Sequence, residues 1–174
     1  MQTVHALARP VRLLIMDVDG VLTDGRIFFT AEGEELKAFN TLDGHGLKML
    51  QSTGVKLAII TGRSARCVEH RARNLGIDYY YHGISDKVAA FQTLLEETGL
   101  SPEACAYIGD DVVDLPVMRR CGLAVAVPDA PAFVRQHAHY VTGCAGGQGA
   151  VRELTELIMQ AQGSYEGLME RYLA

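Results

Sequence analysis

Leu13-Leu14-Ile15-Met16-Asp17-Val18-Asp19-Gly20-Val21-Leu22-Thr23-Asp24-Gly25 governs how the rest of the chain is read. Four apolar residues run without a break into two carboxylates, and a glycine follows the second. Such a run is a strand buried on both faces, as the strands of a parallel sheet are. The acids fall where that strand leaves the core, and in open α/β sheets ligands bind beyond the carboxyl ends of strands. Asp17 and Asp19 stand two apart, so they share a face while the strand persists. Taken alone, the stretch also reads as a strand closing in an acidic turn, because Asp-Gly is frequent in turns. Two close carboxylates repel each other and raise a pKa unless a cation neutralises them. Mg²⁺, a hard ion that takes oxygen ligands, is the simplest such cation.

Outward from this stretch, residues 1–10 read as a loose leader ending at Pro10, and 12–16 as the first strand. Residues 26–40 hold two short β-prone segments around Gly33 and read as a hairpin. Ile27, Phe28, Phe29, Leu36 and Phe39 are more apolar surface than a small hairpin should show to water. It either folds onto the domain or packs against another subunit. Residues 40–46 read as a polar loop, and 47–53 as a helix stopped by Gly54. The strand over 55–60 runs straight into Thr61-Gly62-Arg63. Ser64 is placed to cap a helix through residue 75, closed by Gly76. A short strand covers 78–81, and Ser85 and Asp86 open a helix to residue 98, before Gly99. The strand over 104–108 runs into Gly109-Asp110-Asp111. A helix over 112–120 carries Pro116 near its first turn, where proline is tolerated. A strand over 123–127, a short helix over 131–137, a strand at 140–141 and a flexible glycine loop over 143–149 follow. The C-terminal helix, to residue 162, and a polar tail occupy 150–174. This alternation predicts an α/β fold, a doubly wound and mainly parallel sheet with right-handed crossovers, forming a single domain over 1–174.

Composition narrows the function. A chain of 174 residues suits one domain, and 48% apolar content is ordinary for a globular protein. A net charge of −5 argues against nucleic acid or an anionic membrane as main partner. No apolar run approaches bilayer length, and residues 1–10 lack a signal core. Cys67, Cys105, Cys121 and Cys144 form no C-x-x-C pair and read as reduced thiols of a cytoplasmic protein. Cys67 and His70 stand three apart without the further ligands that zinc needs.

Four strand ends carry polar chemistry: Asp17/Asp19, Thr61, the region before Lys87, and Asp110/Asp111/Asp114. In a doubly wound sheet these tips converge on one edge, and phosphoryl transfer uses them all. Asp17 can attack phosphorus as a carboxylate nucleophile. Asp19 can protonate the leaving oxygen and then take a proton from water. Asp17, Asp110 and the backbone carbonyl of Asp19 can hold Mg²⁺. Thr61 offers a hydroxyl to the phosphate, and Lys87 balances charge on Asp17 and the phosphoryl oxygens. Asp111 and Asp114 can support the metal's waters and orient Lys87. Each residue singly has an ordinary structural reading; their order and their placement at strand ends do not.

The D-x-D stretch, Ile60-Thr61-Gly62-Arg63, Lys87 and Gly109-Asp110-Asp111-x-x-Asp114 resemble the four motifs of the haloacid dehalogenase superfamily of phosphatases. The hairpin, Asn40-Thr41-Leu42-Asp43-Gly44 and Gly146-Gly147-Gln148-Gly149-Ala150-Val151-Arg152-Glu153 are similar to its branch acting on a sugar-acid phosphate, 3-deoxy-D-manno-octulosonate 8-phosphate. The resemblance implies a capless, Mg²⁺-dependent phosphatase serving lipopolysaccharide synthesis. It also implies a homotetramer in which hairpins pack together and a neighbouring subunit helps close the site. It assigns substrate contacts to Asp19, Asn40, Thr41, Leu42, Asp43, Gly44, Lys48, Arg63, Arg71 and Lys87. Lys48 and Gln148 stand where some relatives carry arginine and a basic residue, and a lysine offers a point charge without arginine's bidentate fork. Another sugar-acid phosphate, such as a nonulosonate 9-phosphate, is the nearest rival substrate. A phospho-accepting receiver domain is disfavoured by motif order: its acidic pair comes first and its phosphate-accepting Asp lies on a middle strand, whereas here the acidic triplet follows Lys87. A non-catalytic assembly domain would not need this set of residues.

Overall fold

The computed structural model describes residues 2–173. The chain begins with α1 (Gln2–Ala8) and β1 (Leu13–Met16), followed by the short strands β2 (Phe28–Phe29) and β3 (Glu35–Leu36). Then come α2 (Thr41–Ser52), β4 (Lys56–Ile60), α3 (Arg66–Leu75), β5 (Tyr79–Tyr81), α4 (Lys87–Thr98) and β6 (Cys105–Gly109). The remainder is α5 (Leu115–Met118), β7 (Leu123–Ala126), α6 (Ala132–Arg135), β8 (Tyr140–Val141), α7 (Ala150–Ala161) and α8 (Tyr165–Glu170).

The main sheet has the order β5-β4-β1-β6-β7-β8, and every pairing in it is parallel. Every residue of β1, β6 and β7 is buried, because helices cover both faces. The chain leaves β1 outward through β4 and β5, then returns to β1's other side with β6. Strand order therefore reverses between β1 and β6, the crevice where doubly wound sheets bind ligands. Both strands run into aspartates there: Met16 pairs with Ile108, one residue before Asp17 and two before Asp110. On one face α2 packs along α7, which also holds α1 and α8; on the other α4 packs on α5.

The structure corrects several element assignments. Residues 2–8 form a helix against α7, not a loose leader. Residues 41–46 are the first turns of α2, not a loop: Asn40 Oδ1 caps it by accepting from the N–H groups of Leu42 (2.7 Å) and Asp43 (3.4 Å). Ser64 caps nothing; its hydroxyl meets His82 Nδ1 at 2.9 Å, and α3 starts after Ala65. The helix expected over 112–120 shrinks to one turn, and the polar tail contains α8. The glycine loop is tied down. Gly147 N–H donates to Val21 O at 2.9 Å, and the Gly143 and Cys144 amides donate to Glu153. The hairpin exists, with only two paired residues on each strand.

Candidate active site

Asp17 is the first residue past β1 and is almost fully buried. Its Oδ1 accepts from Val18 N–H at 2.7 Å, which turns Oδ2 toward Lys87 Nζ at 2.8 Å. Lys87 is the first residue of α4, where Asp86 caps the helix by accepting from the Val88 and Ala89 amides. That cap fixes the helix start and, with it, the root of the lysine. Nζ also donates to Asp114 Oδ1 at 2.7 Å.

Asp114 is wholly buried and fully used. Its Oδ1 takes Lys87 and the Tyr107 hydroxyl (2.6 Å). Its Oδ2 takes the amides of Asp110 (3.0 Å) and Asp111 (3.1 Å). It thus holds the Asp110–Asp111 loop and the lysine in one frame, as a buried polar group must when every lone pair is satisfied. Tyr107, in the middle of β6, belongs to this frame, although the sequence showed it only as part of the strand over 104–108. Burial and the nearby aspartates keep its phenol well above the usual tyrosine range.

One oxygen each of Asp17, Asp110 and Asp114 lies within 4.8 Å of the others. One lysine cannot neutralise three carboxylates. Burial, then the charge of Asp114, pushes the Asp17 carboxyl upward despite Lys87. Burial with Asp114, Asp17 and Asp111 pushes Asp110 up to about 7. Lys87 itself is raised: burial opposes its charge, but Asp17 and Asp114 outweigh burial. The excess of negative charge on oxygen donors fits a hard divalent cation between Asp17 and Asp110. Gly20 supports the same fit. At φ 84° it runs so close to Asp110 that a Cβ there would overlap Oδ2. Asp114, with both oxygens engaged, is left to orient its neighbours.

Asp17, Asp19, Thr61, Gly62, Arg63, Ile84, Ser85, Lys87, Asp110, Asp111 and Val113 line one open cleft of about 280 Å³. Larger hollows exist, about 520 Å³ between the hairpin and α3 and about 450 Å³ near Arg9 and Gln162. Neither gathers carboxylates around a lysine, so the chemistry belongs to the smaller cleft. Asp19 there is held by Lys37, with Arg63 Nε 3.9 Å from its Oδ2. Arg63 in turn pairs with Glu35. Lys37 and Glu35 escaped the sequence reading; their only signal was a lysine two residues after an acid on a short β-prone segment.

The remaining sequence candidates stand apart from the cleft lining. Asn40 caps α2, and its Nδ2 donates to Gly147 O at 3.2 Å. Thr41 and Leu42 are exposed on the first turn of α2, and Lys48 is exposed farther along it. Asp43 is buried and accepts from Arg152 N–H at 2.8 Å, capping α7. Burial raises its carboxyl even against the N–H groups of Arg152, Gly149 and Val151. Gly44 lets Arg71 pass close by, and Arg71 donates to Asn40 O at 3.0 Å over the Phe39 ring.

Known proteins share this fold and much of this sequence. The family model described as haloacid dehalogenase-like hydrolase matches residues 26–122, more than half of the chain. The 3-deoxy-D-manno-octulosonate 8-phosphate phosphatase KdsC of Escherichia coli strain K12 is 51% identical over 163 residues, covering 94% of this chain and 87% of that protein. A probable yrbi family phosphatase from Pseudomonas syringae superposes with a TM-score of 0.99 at 49% identity, covering 100% of this chain and 99% of that one. The 3-deoxy-D-manno-octulosonate 8-phosphate phosphatase of Moraxella catarrhalis, solved with magnesium ion, phosphate ion and KDO, gives 0.97 at 42% identity, covering 99% of each chain. With the carboxylate cluster at the β1/β6 switch point, these matches establish that the chain belongs to the haloacid dehalogenase-like hydrolase family.

Proposed function

We propose that this chain hydrolyses 3-deoxy-D-manno-octulosonate 8-phosphate to the free sugar acid and inorganic phosphate, with Mg²⁺ as cofactor, as a step toward lipopolysaccharide. The observation that carries the reading is the buried Asp17–Lys87–Asp114 chain beside Asp110, within a fold superposable on phosphatases of that name. Asp17, Asp110 and the Asp19 carbonyl would hold Mg²⁺, which when bound neutralises negative charge on the phosphoryl group and its aspartate ligands.

The chain's own residues supply the rest. Asp17 attacks phosphorus with one carboxylate oxygen, and the ester P–O bond breaks. Asp19 gives its proton to the departing alkoxide. In the second step water attacks the aspartyl-phosphate, Asp19 takes the water's proton, and the acyl-phosphate O–P bond breaks. Inorganic phosphate leaves and the Asp17 carboxylate returns. Lys87, held by Asp114, balances charge in both steps. Thr61 and Arg63 face the phosphate and the substrate's carboxylate from the cleft wall. Asp111 supports the metal's waters; Asn40, Thr41, Leu42, Lys48 and Arg71 shape the sugar end, while the buried Asp43 and Gly44 act on it by holding the start of α2 in place. We further infer a homotetramer in the cytoplasm, its hairpins packed together and each site completed by a neighbour. The exposed apolar hairpin and four cysteines free of disulfides support that reading.

Phosphate release from this ester, beside a panel of sugar and sugar-acid phosphates, tests the substrate with Mg²⁺ and with chelator. Strong preference for the one ester, lost with chelator, is the expected result; preference for a nonulosonate 9-phosphate would move the substrate and keep the chemistry. Asp17→Asn is expected to abolish turnover while the circular dichroism spectrum stays native, and substantial residual activity would remove the nucleophile assignment.

A further inference from the structure

Lys37 sits on a surface hairpin, yet no part of its side chain reaches solvent. A lysine is rarely so enclosed unless its charge is paired. Its ammonium donates to Asp19 Oδ1 and stands 3.4 Å from Glu35 Oε2. Glu35 Oε1 accepts from Arg63, and Arg63 Nε returns to Asp19 Oδ2 at 3.9 Å. Four charges of alternating sign therefore close a ring, Asp19–Lys37–Glu35–Arg63. The two cations in it differ. Arg63 lines the cleft and is nearly half exposed, whereas Lys37 does not line the cleft. Of its two anionic partners, Asp19 is the one that lines the cleft, so Lys37 reaches the reaction most directly through Asp19.

Asp19 lies past the end of β1 with its side chain partly open to solvent. The Asp17 side chain is held by Val18 N–H and Lys87, and the Asp114 side chain by four donors. Among the described residues, the Asp19 side chain has only its two cations as partners. A proton-transfer group must sit within hydrogen-bond reach of the oxygen it serves, and an error of about 1 Å costs about 100-fold in rate. We propose that Lys37, clamped between Glu35 and Asp19, is a positioning residue that aims the Asp19 carboxylate at the leaving and attacking oxygens. The hairpin is thereby part of the catalytic machinery through one buried ion pair. The proposal rests on Asp19 being the acid/base of the reaction proposed above.

The test uses the full chain with Mg²⁺ and two substrates, the sugar-acid phosphate and p-nitrophenyl phosphate. The alkyl ester needs a proton on its leaving oxygen, whereas nitrophenolate leaves without one. Lys37→Met is expected to lower kcat on the sugar ester by about 10- to 100-fold with KM within about twofold. The pre-steady-state burst of nitrophenolate should keep its wild-type amplitude and rate. Lys37→Arg, which retains a cation, should recover most of kcat. Unchanged kcat in Lys37→Met, or a burst slowed as much as kcat, would overturn the proposal. Asp19→Asn separates the two failures. If it keeps kcat, the acid/base reading falls and Lys37 with it. If it loses kcat while Lys37→Met does not, only the role of Lys37 falls. Should Lys37→Met fail to fold, Glu35→Gln loosens the same clamp and is read the same way: reduced kcat with an intact burst supports the proposal, and unchanged kcat overturns it.

Discussion

Gly20 and Asp110 compete for the same space, and the metal site depends on the outcome. Gly20→Ala puts a side chain on a left-handed backbone at a cost of about 1–2 kcal/mol, and its Cβ displaces the Asp110 carboxylate. Urea unfolding should show that loss, and Mg²⁺ should no longer raise Tm. Asp110 also sets a pH dependence. Its folded-state pKa, about 7, lies above the ordinary 3.8, so the folded chain holds this proton more tightly. The stability it contributes is full below the ordinary value, falls as pH rises between the two, and is gone above about 7. Protons and Mg²⁺ compete for the same oxygens, so Mg²⁺ should raise Tm more at about pH 8 than at about pH 5.5. In Asp110→Asn both the fall in chelator and the Mg²⁺ response should shrink; a Mg²⁺ shift equal at the two pH values would contradict this. The acids, Thr61 and Lys87 were legible because each stands where a strand or loop ends, and their order and joint placement fit one chemistry although each alone has an ordinary turn or cap reading. Tyr107 was not, because an aromatic inside an apolar strand looks like packing and only its hydroxyl's contact with Asp114 shows otherwise. Lys37 was not, because its partner lies 18 residues away and is met only once the hairpin has folded.

At the scale of elements, the stretch from Asn40 to Gly46 was misread for a physical reason. Two glycines within three residues lower helix propensity and normally mark a loop. Here they are needed for approach: a Cβ at Gly44 would overlap Arg71, and one at Gly46 would overlap Thr155 on α7. Tertiary packing overrides propensity, and Asn40 supplies the cap. The same packing gives Asp43 a task that the sequence did not reveal. Buried against the first turn of α7, it accepts the Arg152 amide from another element, where a local cap is missing because Gly149 has no side chain. Asp43→Ala is expected to cost about 1–2 kcal/mol in chemical denaturation, the range of a lost helix cap. Its kcat should stay within about threefold of wild type if capping is its whole contribution. A large rise in KM with unchanged stability would instead favour direct contact with the sugar.

At the scale of the molecule, the topology explains why residues nearly a hundred positions apart meet. Reversal of strand order between β1 and β6 leaves a crevice that no crossover covers, and Asp17 and Asp110 extend from its two sides. That much followed from the alternation of strands and helices. The apolar excess of the hairpin was legible too, but not whether it folds onto the domain or stays exposed, because exposure cannot be read from one chain's periodicity. Phe28, Phe29 and Leu36 are 52%, 62% and 52% exposed, on a hairpin with two paired residues per strand. They flank the hollow between hairpin and α3, which Phe29 and Leu36 also line. An apolar edge of this kind on an isolated chain marks an interaction surface. The homotetramer proposed above predicts a four-subunit species for the wild-type chain in sedimentation velocity. Phe28→Ser/Phe29→Ser/Leu36→Ser should move it to lower mass without unfolding the sheet, because none of the three side chains belongs to the buried core. Its kcat should fall with its mass, since the hairpin also carries Lys37 and Glu35 to the catalytic loop. A wild-type chain that sediments as a monomer would remove the assembly. A triple variant that stays assembled would place the interface elsewhere, and full activity in a dissociated variant would show that one chain closes its own site.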